Sequence, residues 1–258
     1  MPWTIEHFYT LPITIIVLLI FAIWLGKKME NLDEKYRLIP IHIISFVLVA
    51  LEILKQFKSY DNGYDLYHLP LHFCGMFVFL FPAFSLCHGK SKYVARLLTT
   101  LSGIMLTGFM IIMPDIVYGD DDIRDFFVNF WAFHTVFFHN LVLLGTFLIF
   151  TLKLFKPRYH GDYKIVLLSY TIYCALIAPV SLILDTNFNN FCRCSMPFIE
   201  EWRVIWVDTL GYFGQLLYTS CAMIGTIGFG IIMYFVYTKL IVLYNYILRK
   251  HSKYEIIG

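Results

Sequence analysis

Charge is scarce in this chain. Asp, Glu, Lys and Arg supply 15% of its 258 residues, against 59% apolar and 19% aromatic, a balance too greasy for a soluble domain of this length. No Lys/Arg-rich, aromatic-interleaved stretch is present, so nucleic acid is not an expected partner. The six cysteines show no CxxC and no regular spacing, which excludes a disulfide framework or a zinc ribbon. Cys192-Arg193-Cys194 is an isolated CxC, able in principle to pair or bind metal. Gly119-Asp120-Asp121-Asp122 lacks the spaced oxygens and terminal Glu of a calcium loop, and the glycines near the C-terminus sit in no βαβ pattern. No cofactor motif is read. Without internal repeat, low-complexity tract or linker, residues 1–258 are expected to form a single domain.

What the chain has is long apolar runs. Seven reach roughly 18 residues, the length that crosses a hydrocarbon core; they lie near 8–26, 38–57, 67–87, 95–113, 130–152, 164–185 and 210–238. The fold expected is all-α, a polytopic membrane protein with seven transmembrane helices in one bundle. No Lys or Arg precedes the first run, while Lys27 and Lys28 follow it directly, which argues against a cleaved signal peptide. Sorting the basic residues by loop places 15 of the 20 in the first, third and fifth loops and the C-terminal tail, and 4 on the opposite side. Because basic loops stay cytoplasmic, this predicts an N-terminus outside, a cytoplasmic C-terminus and residence in the cell membrane.

The outer loops are acidic, with Asp61, Asp65, Asp115, Asp120, Asp121, Asp122 and Asp125 followed by Glu200, Glu201 and Asp208. A solvated face explains them. Trp3, Tyr36, Tyr60, Trp131 and Trp206 near run ends fit interfacial belts. Thr99, Gly103 and Thr107, and the series Gly211, Gly214, Gly225, Gly228 and Gly230, keep helix faces small for close packing. Pro179 is expected to kink the sixth run.

The unusual stretch is Tyr67-His68-Leu69-Pro70-Leu71-His72-Phe73-Cys74-Gly75-Met76, which carries two histidines and a thiol into the third apolar run. Ionisable groups inside a membrane are rare and expensive, and mark a candidate site. Counting residues from the outer ends puts Glu52, Cys74, His134 and His139 at similar depth, with Asp185, Asn187 and Gln215 near the same level. The inner halves of the runs are almost bare. A buried Cys is often an inert small hydrophobe, and a lone His is often bonded to a carbonyl; their convergence is what points to chemistry.

A thiol becomes a useful nucleophile when a histidine takes its proton, and a Cys–His pair in an apolar pocket suits acyl transfer through a thioester. On a regular helix His72 and Cys74 would lie roughly 200° apart whereas His68 and His72 would share a face. Cys74 is therefore expected to need a histidine from the fifth run, His134 or His139, roughly 140° apart on that helix. The alternatives are a transporter, or a metal-dependent lipid hydrolase built on His68-x3-His72 with His134, His139, Asp185 or Glu52. Seven-span zinc lipid hydrolases carry an HxxxH in the last span, and here that run has no histidine. A lipid-binding scaffold without chemistry is the third possibility.

Leu69-Pro70-Leu71-His72-Phe73-Cys74 resembles the signature that opens the third span in the YwaF family of integral membrane proteins. Met113-Pro114-Asp115, Phe138-His139-Asn140-Leu141, Asp185-Thr186-Asn187-Phe188-Asn189 with Pro197, and Leu210-Gly211 resemble further family landmarks in order. That family includes an animal TMEM-type acyltransferase forming polyunsaturated ether phospholipids, with a Cys and a His proposed as catalytic. The resemblance implies Cys74 as acyl acceptor and His139, by its spacing to Pro157-Arg158, as base. His72, His134, Asp115, Asp185, Asn187, Gln215 and Glu52 are then expected to bind substrate, a membrane phospholipid. Asn140 and the stretch Gly211-Tyr212-Phe213-Gly214 depart from the family pattern. A site in the outer half of the membrane is cut off from cytosolic acyl-CoA, so a transacylase drawing on lipid donors is expected.

Overall fold

The computed structural model describes residues 4–61, 63–114, 117–119, 121–156 and 161–254. Among them no strand occurs. The helices are α1 (Ile5–Met29), the single turn α2 (Glu34–Arg37), α3 (Ile39–Asp61), α4 (Phe77–Leu86), α5 (Gly89–Ile112), α6 (Phe130–Thr151), α7 (Asp162–Ile183), α8 (Pro197–Leu210) and α9 (Tyr212–Tyr254). Six stretches are long and apolar enough to cross a membrane: Ile5–Met29, Glu34–Asp61, Gly89–Ile112, Phe130–Thr151, Asp162–Ile183 and Tyr212–Lys239. Their outward faces carry large apolar side chains such as Phe8, Ile13, Phe46 and Ile172, as lipid contact requires.

The remaining apolar run, 67–87, is not one helix. A short 3₁₀ turn, Leu66–His68, gives way to turns through residue 76, and regular helix begins only at Phe77. Pro70 explains the break, because a proline pushes the residue before it out of the helical region, and Leu69 is extended with ψ at 141°. Gly75 completes it. The chain doubles back so closely that a Cβ there would sit 2.9 Å from the Pro70 Cα. The angular relations expected of a helix therefore do not hold: His68 and His72 share no helix face.

Ion pairs collect the basic loops at one end. Glu34 meets Lys92 at 2.8 Å and Arg96 at 2.7 Å, and Lys153 meets Glu30 at 2.5 Å. Arg37 and Arg96 donate to the Leu152 and Leu154 carbonyls at 2.7 and 2.9 Å. The segments after α1, before α5 and after α6 thus share an end, and between α3 and α5 the α-helix is the ten residues of α4.

Within the bundle α6 packs against α1, α3 and α5, while α9 packs against α5, α7 and α8. Leu48, Phe77, Phe81, Phe84, Val142 and Ile149 anchor the first core, and Leu97, Leu101, Tyr170 and Tyr234 the second. Small residues let these helices approach: Gly103 faces the Thr146 side chain, Gly145 the Phe81 ring and Gly230 the Tyr170 ring. Gly225 and Gly228 instead meet open space. Thr99 donates across to the Leu80 carbonyl at 2.9 Å, whereas Thr107 bonds back to Gly103 in its own helix. Gly145→Leu would force the Phe81 ring aside, and overpacking of this kind costs about 1–3 kcal/mol. A drop in thermal midpoint in detergent is expected, while Gly225→Ala should hold or slightly raise it.

Candidate functional site

Non-helical backbone packed among helices needs partners for its polar groups. Asn189 supplies them for the segment before α4. Its backbone is left-handed, with φ 53° and ψ 32°, a conformation Asn tolerates better than most residues. Its Oδ1 accepts from the Phe73 N–H, and its Nδ2 donates to the Leu71 carbonyl at 3.2 Å and to the Tyr173 hydroxyl at 2.6 Å. Tyr173 in turn donates to the Leu71 carbonyl at 2.9 Å. The loop after α7 therefore pins the backbone on which His72 and Cys74 stand. Asn189→Ala would orphan these groups at about 1–3 kcal/mol, about 5- to 150-fold in opening of the segment. Faster maleimide labelling of Cys74 is the expected result, with the other five thiols as reference.

His72 is held in place. Its Nε2 lies 3.0 Å from the Tyr67 carbonyl, and its ring stands edge-on to Tyr67 and Phe188 at 4.3 and 5.1 Å. His68 is also engaged, bonding Ser59 Oγ through Nδ1 at 2.7 Å and stacking on Trp131 at 4.1 Å. Cys74 is half-buried against the first core. The hydroxyl-bearing rings of Tyr67, Tyr118 and Tyr173 lie within electrostatic reach of its thiol.

The two histidines of α6 differ in how they are fixed. His139 Nδ1 lies 2.7 Å from the Thr135 carbonyl. A carbonyl only accepts, so the ring proton is assigned to Nδ1 and the lone pair to Nε2. That Nε2 is buried and has no hydrogen-bond partner. The ring stands edge-on to Tyr118 at 5.8 Å, and the Tyr118 hydroxyl is held by Asn140 Oδ1 at 3.0 Å. His134 Nε2 is likewise buried and without a partner, but its ring sits among Phe130 and Phe138. No hydrogen bond joins Cys74 to either imidazole Nε2; Tyr118 meets the His139 ring and interacts electrostatically with the thiol.

A buried ion pair completes this end of the bundle. Lys55 Nζ is 2.8 Å from Glu52 Oε2, with side chains 13% and 7% exposed. Gln56 donates to Glu52 Oε1 at 2.6 Å and to the His68 carbonyl at 2.7 Å, and accepts from the Tyr64 hydroxyl at 2.5 Å. The Lys55 ammonium lies within electrostatic reach of Cys74, His68, His72, His134 and His139. Paired with Glu52, the ammonium contributes a fixed dipole and no net charge. Lys55 was legible only as one base within a run; the signal is its i, i+3 spacing from Glu52.

The other expected site residues lie elsewhere. Asp185 is exposed, has φ 47° and is 3.9 Å from Arg193. Asn187 Oδ1 accepts from the Cys192 and Arg193 amides at 3.2 and 3.0 Å, which shapes the loop. Gln215 bridges the Cys192 carbonyl at 3.1 Å and Arg203 Nη1 at 2.9 Å. Asp185 and Gln215 line a cavity of about 580 Å³ with Arg193, Glu200, Arg203 and Tyr212. Arg203, bonded to Glu200 at 2.6 Å, holds that carboxyl below the usual carboxylate range. Asp115, and the Pro157-Arg158 turn whose spacing favoured His139, lie outside the described residues. All six cysteines are free, so Cys192 and Cys194 are not paired; Cys192 Sγ sits 3.2 Å from the Ser181 carbonyl. Among the described residues no three His, Cys, Asp or Glu side chains gather as metal ligands.

No curated protein and no solved structure matches the chain. A family model described as the TMEM164 family matches residues 2–232. With six helices of membrane-crossing length and that match over most of its length, this chain is a multi-pass membrane protein and belongs to the TMEM164 family.

Proposed function

We propose that this protein is a lipid acyltransferase or transacylase of the cell membrane, with Cys74 as nucleophile and His139 as base. The observation that carries the reading is the fixed tautomer of His139: Nδ1 is engaged by Thr135, leaving a buried Nε2 lone pair without a hydrogen-bond partner in the protein, on a ring that stands edge-on to Tyr118. In the reaction His139 Nε2 takes the Cys74 proton as sulfur attacks an ester carbonyl of a phospholipid. The C–O bond breaks, the leaving alkoxide receives the proton from His139, and the acyl chain remains as a thioester. A lysophospholipid or lipid alcohol hydroxyl then attacks the thioester, giving its proton to His139, which returns it to sulfur. Hydrogen bonds between catalytic pairs are often long without substrate and close in the complex.

The same reading takes residues 1–258 as one domain that crosses the membrane seven times, N-terminus outside and C-terminus cytoplasmic. It is supported by the basic loops gathered at one end. The site is then in the outer half and the acyl donor is a membrane phospholipid; kinship with the YwaF family's lipid chemistry is part of this proposal. His72, His134 and Glu52 line the reacting end, while Asp185, Asn187 and Gln215 sit at or behind the outer cavity, where a headgroup would enter. A transport path fits less well, because Glu52 is tied to Lys55 and Gln56, and His68 to Ser59 and Trp131. The test is transfer of a labelled acyl chain from phospholipid to lysophospholipid in vesicles without coenzyme A. Transfer is expected; a strict requirement for acyl-CoA would overturn the transacylase reading.

A further inference from the structure

A third imidazole faces the ring that His139 faces, and it arrives from a different helix with the opposite proton arrangement. His7, in the first turn of α1, is fully buried and stacks on Tyr118 at 6.1 Å with an interplanar angle of 29°. Its Nδ1 receives the Thr4 backbone N–H at 3.3 Å, while the His7 N–H bonds Thr4 Oγ1 at 3.3 Å, a closed capping box. A backbone N–H can only donate, so Nδ1 must hold the lone pair and the proton of the neutral ring sits on Nε2. That Nε2–H is buried and has no hydrogen-bond partner.

Tyr118 is thus flanked by an unpartnered donor, His7 Nε2–H, and an unpartnered acceptor, His139 Nε2. Buried polar groups of this kind are rarely left unpaired, and a role in binding or reaction is one of the recognised explanations. Two idle imidazoles with the same proton arrangement would suggest only packing; opposite arrangements match the two demands of acyl transfer. A base must take a proton from sulfur, and a donor must receive the carbonyl oxygen.

We propose that His7 is the hydrogen-bond donor to the acyl carbonyl of the substrate, polarising it and holding the oxyanion of the tetrahedral intermediate. The inference rests on the Cys74–His139 reading. As the S–C bond forms, the carbonyl π pair moves onto oxygen, which accepts a hydrogen bond from His7 Nε2–H. When the C=O is restored the ester C–O bond breaks, and the leaving oxygen takes its proton from His139. His7 keeps its own proton throughout. The capping box explains this tautomer: the helix start that fixes Nδ1 as acceptor also aims a donor N–H into the core.

The experiment is single-turnover acylation of Cys74 by phospholipid vesicles, followed by intact mass, in full-length protein. His7→Phe keeps a ring against Tyr118 but removes the donor, and acylation is expected to slow by about 10²–10³-fold. His7→Gln keeps both a donor and the capping pattern of Thr followed three residues later by Gln, and is expected to recover to within about tenfold of wild type on the same scale. If His7→Phe does not fold, His7→Met is read the same way. Acylation of the Phe variant at the wild-type rate, or a Gln variant no better than the Phe variant, would overturn the role of His7. Absence of any Cys74 adduct in the wild type would instead overturn the Cys–His reading beneath it.

Discussion

Replacing His139 with glutamine is expected to slow acylation of Cys74 by about 10²–10⁴-fold, the usual contribution of a general base. Glutamine can still bond the Thr135 carbonyl through its amide, so the local packing at α6 survives. It cannot carry a proton. His134→Gln is expected to stay within a few-fold of wild type, although His134 Nε2 is equally buried and unpartnered. The difference lies in orientation: His139 is locked through Nδ1 and stands against Tyr118, whereas His134 packs among phenylalanines. Single-turnover rates of the two variants, measured side by side, decide between them. A larger loss in His134→Gln would move the base to His134.

Loss of the nucleophile is expected to have the largest effect. Cys74→Ala should bring acyl transfer to background, a fall of about 10³-fold or more by comparison with other nucleophile deletions. The fold should persist, because Cys74 is only half-buried and the backbone around it is held by Asn189 and Tyr173 rather than by sulfur. A thermal midpoint close to wild type would separate lost chemistry from lost structure. Cys74→Ser is informative in a second way: any acyl group it takes would be an oxygen ester, far less sensitive to hydroxylamine than a thioester. Wild-type transfer by Cys74→Ala would leave the thiol as a packing residue.

The parts of the molecule that hydropathy could reveal are those where one helix faces lipid. Six of the expected runs coincide with helices of spanning length because their composition alone sets both conformation and environment. The run at 67–87 has the same composition, yet Pro70 and Gly75 outweigh it locally, and the freed backbone groups are taken by Asn189 and Tyr173, more than 90 residues away. Such a rescue leaves no periodic trace. Depth counting set Glu52, Cys74, His134 and His139 at a similar level, an argument that applies to Glu52 in α3 and to His134 and His139 in α6, since position along a helix follows from residue number, but not to Cys74, which lies outside regular helix.

Asp185, just past the end of α7, and Gln215, in the first turn of α9, lie along the chain where the count puts them, but their partners do not follow from residue number. Asp185 turns outward through a left-handed residue, and Gln215 is claimed by Arg203 and by the loop carbonyls. Lys55, Tyr118, Asn189 and His7 were not chosen from the sequence, each for a reason of geometry. Lys55 is a single base within an apolar run whose meaning comes only from its pairing with Glu52, and Tyr118 lies beyond the end of α5, where no helical period applies. His7 sits so near the start of α1 that it reads as a residue at the membrane edge. Only the packing of α1 on α6 turns it inward.

The most direct test of the account is the intact mass of wild-type and Cys74→Ala protein after incubation with mixed phospholipid vesicles, before and after hydroxylamine. The account predicts an increment of one fatty acyl chain on the wild type that hydroxylamine removes and that Cys74→Ala never acquires. An acyl adduct of equal yield on both proteins, or none on folded wild type that nonetheless transfers acyl chains, would contradict it.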